Sequence, residues 1–253
     1  MAGITYNNLP DGRHVLINWM GRWEYAGNTN FSAWNGQIGI PRELKLVTVN
    51  DQIRLTSLPI HEMESLRINP VHKQNISITN EFTYKIADSE KKKHLADIEM
   101  TLDLKGLKSG EAFDIVFSGK DDELKISFED NEFILDRSRA GRMVPIFDNS
   151  TLVNGNFDNP FDGPSIPKIN FYDLIKAPRV SNSSNLKLRI IIDTNGIEMY
   201  ADEGLTSMSA LFFSEDGIAS KMNIQIHSAT NSSMIQLKEL NVYEMKSIWN
   251  NDN

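Results

Sequence analysis

Short segments in which apolar residues recur at every second position run through this chain, and no stretch of ten or more residues keeps a helical period. The clearest are Ile98/Met100/Leu102/Leu104, Phe113/Ile115/Phe117, Leu124/Ile126/Phe128 and Leu186/Leu188/Ile190/Ile192. A period of two sends successive side chains to opposite faces of an extended strand, so each segment carries an apolar face that another layer must cover. So many half-apolar strands predict an all-β chain of two facing sheets. A closed barrel would satisfy the same pattern.

Turn chemistry supports the strands. Leu9-Pro10-Asp11-Gly12 is a hairpin-type turn, with proline fixing one φ and glycine accepting a positive one. Leu44 to Val49, then Asn50-Asp51-Gln52, then Ile53-Arg54-Leu55, predicts a hairpin with a three-residue connection. Asp193-Thr194-Asn195-Gly196 predicts another, closed by a local Asx bond. His61 to Arg67, bracketed by Pro59 and Pro70, is too short for an independent helix and suits a linker turn, so a boundary is expected near residues 60–72. Residues 149–167 predict a long irregular connection. Glu90-Lys91-Lys92-Lys93-His94 lies among acidic residues and predicts a solvated hairpin tip.

The chain has 253 residues, a formal net charge of −8 and no cysteine. Disulfides, thiolate nucleophiles and zinc–thiolate sites are excluded. The acidic balance argues against a nucleic-acid partner, and charges interrupt every apolar run before membrane-spanning length, so no membrane partner is expected. The first residues show neither a basic nor an apolar signal region, which assigns no compartment. The five histidines are widely spaced, and no nucleotide, serine-hydrolase or calcium-loop motif occurs, so no metal and no cofactor is expected. At Asp136-Arg137-Ser138-Arg139 the expectation is a strand-end ion pair between Asp136 and one of the arginines.

The richest chemistry lies near the start. Trp19, Trp23, Tyr25, Phe31 and Trp34 crowd together with Arg22 and Glu24 between them. Aromatic faces beside hydrogen-bonding groups suit sugar rings, and the same residues also suit a core. Glu24, Glu43, Glu62 and Glu64 offer carboxylates, but no spacing singles out a catalytic pair.

The run Asn18-Trp19-Met20-Gly21-Arg22-Trp23-Glu24-Tyr25-Ala26, continued by Trp34 and Ile40-Pro41-Arg42-Glu43-Leu44, closely resembles the end of the catalytic domain in glycoside hydrolase family 32. That is the levanase, inulinase and invertase group of β-fructosidases. Phe133 to Gly141 resembles a strand of that family's sandwich domain. Leu188 to Asp193, Ile197-Glu198-Met199-Tyr200 and Asp202-Glu203-Gly204 resemble its later strand–turn–strand stretch. These motifs follow family order along essentially the whole chain.

The resemblance implies the last part of a five-bladed β-propeller over residues 1–62, a linker at 63–71 and a β-sandwich over 72–250. It implies a fructan or sucrose-type carbohydrate as partner. It also implies that the family's catalytic carboxylates belong to three motifs: Trp-Met-Asn-Asp-Pro-Asn-Gly-like, Arg-Asp-Pro and Glu-Cys. None occurs in this chain. Residues 2–8 resemble the strand that follows the acid/base region. The expectation is therefore a distal fragment of a β-fructosidase, inactive alone, with no catalytic residue of its own. A non-catalytic carbohydrate-binding or interaction sandwich is the alternative. Trp19 matches a tryptophan that lines the fructose subsite, and Trp23 and Tyr25 are the next substrate-contact candidates. Arg42 and Glu43 are implied in a salt bridge or domain-interface contact. Self-association through an exposed propeller edge is a further expectation.

Overall fold

The computed structural model describes residues 3–6, 8–21, 36–86, 95–141, 172–215, 217–228 and 233–248. The expected connection at 149–167 and hairpin tip at 90–94 lie outside the described residues.

Four strands, β1 (Gly3–Thr5), β2 (His14–Asn18), β3 (Arg42–Val49) and β4 (Gln52–Pro59), pair antiparallel in chain order. Asn50 and Asp51 alone join β3 to β4, at φ of 50° and 58°. Two successive left-handed residues make a type I′ turn, whose twist matches the strands it joins. The connection is thus two residues rather than the expected three, because Gln52 already pairs with Val49.

A 3-10 turn, His61–Leu66, leads into β5 (Arg67–Ile78). Pairing with β16 (Ile235–Met245) starts at Arg67, so residues 67–71 of the expected linker are already strand. Between Ile68 and Val71 the register slips, with Asn69 at φ 49° and Pro70 beside it. Proline has no N–H for the ladder, so the strand bulges where proline falls.

The remaining strands are β6 (Glu81–Lys85), β7 (Ala96–Asp103), β8 (Ala112–Ser118), β9 (Glu123–Glu129), β10 (Glu132–Asp136), β11 (Ile175–Pro178), β12 (Asn185–Ile192), β13 (Gly196–Ala201), β14 (Thr206–Leu211) and β15 (Lys221–His227). With β5 and β16 they form two six-stranded sheets, ordered β11-β10-β9-β8-β15-β6 and β14-β13-β12-β7-β16-β5. These are open sheets packed face to face, not a closed barrel. The fold is all-β: a sandwich preceded by a meander of the kind found in the last part of a β-propeller.

The sandwich core follows the period-two pattern. Ile98, Met100, Leu102, Leu186, Leu188 and Ile190 line one inner face; Phe113, Ile115, Phe117, Leu124 and Ile126 line the other. Phe113, Phe128 and Phe133 stack across three strands, with centroids 5.4 and 5.1 Å apart. In β16 the parity breaks. Leu237 pairs with Leu102 and Leu240 with Met100, because a bulge between Leu237 and Glu239 inserts one residue. The bulge turns both leucines inward and leaves Lys238 to reach Asn185 and Asp103 at 2.8 and 3.0 Å.

Candidate functional site

Trp19 lies just beyond β2. It forms an isolated antiparallel bridge with Ile38, and hydrogen bonds from Met20 N to Gln37 O and from Gly39 N to Asn18 O, both 2.8 Å, extend the pairing. The indole is half-buried. A β-carbon on Gly21 would lie 2.5 Å from its ring, and one on Gly36 would lie 3.0 Å from its Nε1. Two glycines thus make room for a large aromatic side chain on a narrow ribbon. Trp23 and Tyr25 lie outside the described residues, as do Arg22, Glu24, Phe31 and Trp34.

The ribbon holding Trp19 is fastened to the sandwich through Glu198. Its strand, β13, is buried at every position. Glu198 Oε1 accepts a hydrogen bond from Ile40 N at 2.6 Å. Its Oε2 lies 2.8 Å from the Arg42 guanidinium and accepts from the Tyr200 hydroxyl at 2.6 Å. The Ser209 hydroxyl accepts from Arg42 at 2.7 Å and donates to Glu198 at 3.3 Å. Burial, reinforced by the neighbouring carboxylate, pushes the Tyr200 phenol well above its usual range, so it stays protonated and donates. A buried ion pair contributes little net stability, but removing one partner strands the other charge at a large cost.

A second fastening lies on the backbone. Ser57 N donates to Gly204 O at 3.0 Å. Gly204 has φ +80°, and a β-carbon there would stand 2.5 Å from Ser57 O. It ends a turn whose previous two residues, Asp202 and Glu203, are also left-handed. Arg179 grips Asp202 at 2.6 and 3.1 Å and holds that unusual turn in place. A separate, exposed pair, Arg13 with Glu62 at 2.7 Å, ties the meander to the 3-10 turn and does not cross to the sandwich.

Arg42 therefore lies in the seam between the meander and the sandwich, whereas Glu43 pairs only with Lys45, at 2.9 Å. The expected pairing at Asp136 is corrected. Asp136 accepts from Ser138 N at 2.9 Å, Arg137 donates to Leu211 O at 2.8 Å, and Arg139 pairs with Glu123 at 2.6 Å. Both arginines find partners across strands, which a local reading does not see. The hairpin expected at Asp193 is present, closed by Asp193 N on Gly196 O at 2.8 Å. The Asp193 carboxylate accepts from the adjacent Thr194 N rather than from the residue two on, so the expected Asx bond is not the one made. Among the described residues, no cluster of three metal-ligating side chains occurs.

Sequence reasoning assigned no role to Glu198, Tyr200 or Ser209. One signal was available: an acidic residue inside the apolar run Ile197-Glu198-Met199 needs a buried cation. Chemically, the arrangement holds an aromatic ring on a rigid ribbon. Both oxygens of Glu198 are engaged by these donors, so this carboxylate serves as a structural acceptor.

The model for the C-terminal part of glycosyl hydrolases family 32 matches residues 62–244, and that for the family's N-terminal domain matches residues 2–59. The levanase of Bacillus subtilis (strain 168) is 24% identical over 260 residues, covering 98% of this chain and 33% of the levanase. The structure of an exo-inulinase from Aspergillus awamori superposes with a TM-score of 0.71 at 20% identity, covering 98% of this chain and 43% of that one. A β-fructofuranosidase from Schwanniomyces occidentalis, complexed with fructosyl-erythritol, gives 0.71 at 19% identity, covering 97% and 47%. The chain thus spans less than half the length of these relatives. Matched by the C-terminal model over more than half its length, the chain belongs to glycosyl hydrolase family 32.

Proposed function

We propose that these 253 residues form the distal part of a fructan- or sucrose-hydrolysing β-fructosidase and do not cleave substrate by themselves. Retaining hydrolysis of a fructosidic bond needs a nucleophile and an acid/base carboxyl about 5 Å apart across one sugar. The observation that carries this reading is the disposition of Glu198, the buried carboxylate under the Trp19 ribbon: four donors hold it as a structural anion. The absence of the three family motifs from the sequence supports the same reading. In it, Trp19 forms one wall of a fructose subsite, with Trp23 and Tyr25 as further contacts, and Arg42 and Glu198 keep that wall in register with the sandwich.

The test is incubation of the purified chain with sucrose, inulin and levan. No fructose release is expected. Release that disappears when one of the chain's own carboxylates is replaced would overturn the reading. The same reading expects the isolated chain to self-associate through its first sheet, where Leu46, Ile53 and Leu55 are exposed. Light scattering after size exclusion checks this, and a monomer counts against it.

A further inference from the structure

The outer face of the sheet containing β8, β9 and β15 carries a groove of about 460 Å³, on the opposite side of the sandwich from the seam that holds Trp19. Its origin is readable in the register. Across the three strands, Asn223 pairs with Val116 and Val116 with Lys125; Lys221 pairs with Ser118 and Ser118 with Glu123. Short side chains on the central strand form a floor, and long ones on both neighbours form walls. Groove size falls within the ordinary range for small-molecule sites.

The lining chemistry narrows the ligand. Four basic and four acidic side chains face the groove, so it presents no net field to steer an anion or a cation. Val116 is its only aliphatic lining residue, which disfavours an apolar ligand. On the floor, Asp114 is 10% exposed at its side chain, and both of its charge contacts, to His227 at 2.8 Å and Lys125 at 3.6 Å, run to Oδ2. Oδ1 is left as an acceptor of fixed orientation. Beside it, Asn223 Oδ1 is shielded from solvent and has no hydrogen-bond partner, while its amide reaches only Glu81, at 3.5 Å. An unsatisfied amide oxygen on a groove floor has an explanation if a bound hydroxyl group completes it after a small side-chain rotation. Lys221 and Gln225 stand at the wall as exposed donors.

We propose that this groove binds a neutral saccharide, with Asp114 and Asn223 accepting from hydroxyl groups and Lys221 and Gln225 donating to them. Balanced donors and acceptors without net charge suit the hydroxyl groups of a polyhydroxylated ring. The choice of a fructan as the saccharide rests on the function proposed above; the site itself does not.

The experiment is a titration of the full chain by protein-observed NMR with short inulin-type oligosaccharides, maltotriose and inorganic phosphate in separate arms. Three variants are compared: Lys221→Ala/Gln225→Ala, at two exposed positions, Asn223→Ala, and Trp19→Ala. Unchanged melting temperatures establish that the groove variants are folded. The expected result is a saccharide affinity, read from the resonances of β8, β9 and β15 that line the groove, that weakens roughly tenfold or more in each groove variant. Trp19→Ala changes only the response of resonances around its own subsite and leaves the groove resonances within about twofold. Groove-dependent binding of maltotriose but not of inulin oligosaccharides would support the site and count against the fructan reading. Binding lost only in Trp19→Ala would overturn the site and leave the Trp19 reading standing. Groove-dependent phosphate binding, or no saccharide binding at concentrations on the order of 10 mM, would overturn the proposal.

Discussion

The sandwich and the four-stranded sheet in front of it are built by different means. The sandwich draws its core from both six-stranded sheets, and all of that core lies between Ile78 and Val242. Among the described residues the small sheet contributes nothing to it. Its buried apolar residues are Val15 and Met20, while Leu46 and Ile53 stand 72% and 74% exposed. Specific polar contacts register it on the sandwich, Arg42 and Ile40 on Glu198 and Ser57 on Gly204, while Met20 and Leu58 lie against Gly196 and Gly204. Hydrophobic burial scales with area and is indifferent to geometry, so the sandwich has the means to be stable alone. Hydrogen bonds and ion pairs add little net stability but demand exact partners. The sandwich thus acts as the template and the small sheet as the part registered on it.

Substitutions can break that contrast. Phe117→Ala should cost about 4 kcal/mol by leaving a cavity in the core, and should lower the melting of the sandwich and the small sheet together in calorimetry. Arg42→Ala should cost about 3 kcal/mol by leaving Glu198 as a buried unpaired charge. Hydrogen exchange should then show residues 3–59 opening while β7, β8 and β12 stay protected. Equal deprotection of both regions would mean that they are one cooperative unit and would remove the contrast. Gly204→Ala should cost about 1–3 kcal/mol, from a left-handed backbone and from contact with Ser57 O. Limited proteolysis should detect the loosened seam.

The smallest effect concerns pH. The Arg13 guanidinium holds the Glu62 carboxyl down to about 2, below its ordinary 4.5. A lowered carboxyl contributes stability that is fully present above 4.5 and fades as pH falls toward 2. The pair is exposed, so only a slight drop in melting temperature is expected over that window. Arg13→Ala should abolish that drop, measured by thermal melting at matched ionic strength.

Much of this molecule is legible locally. Period two in Phe113/Ile115/Phe117 or Leu186/Leu188/Ile190 marks strands and their inner faces, because strand geometry alternates side chains whatever the tertiary context. Turn residues mark hairpins at Asp193–Gly196 and near Asn50-Asp51 for the same reason, although the exact turn at Asn50-Asp51 emerged only from the pairing of Gln52 with Val49. The resemblance between Asn18 and Leu44 points to the family and to Trp19. The candidate site was only half legible: Arg42 could be named as a seam residue, but its partner could not.

Read alone, the amino-acid order gives most of the strands and their apolar faces, since these depend on neighbours one or two residues away, and through motifs in order along the chain it gives the family. Which sheets the strands join, the bulge that turns Leu237 and Leu240 inward together, and the meeting of Ile40 with Glu198 across 158 positions emerge only in the folded chain. Those depend on pairings between distant segments. A charge in an apolar run announces that a partner is needed, but the chain order between Arg42 and Glu198 carries no trace of which cation the folded sheets bring to it.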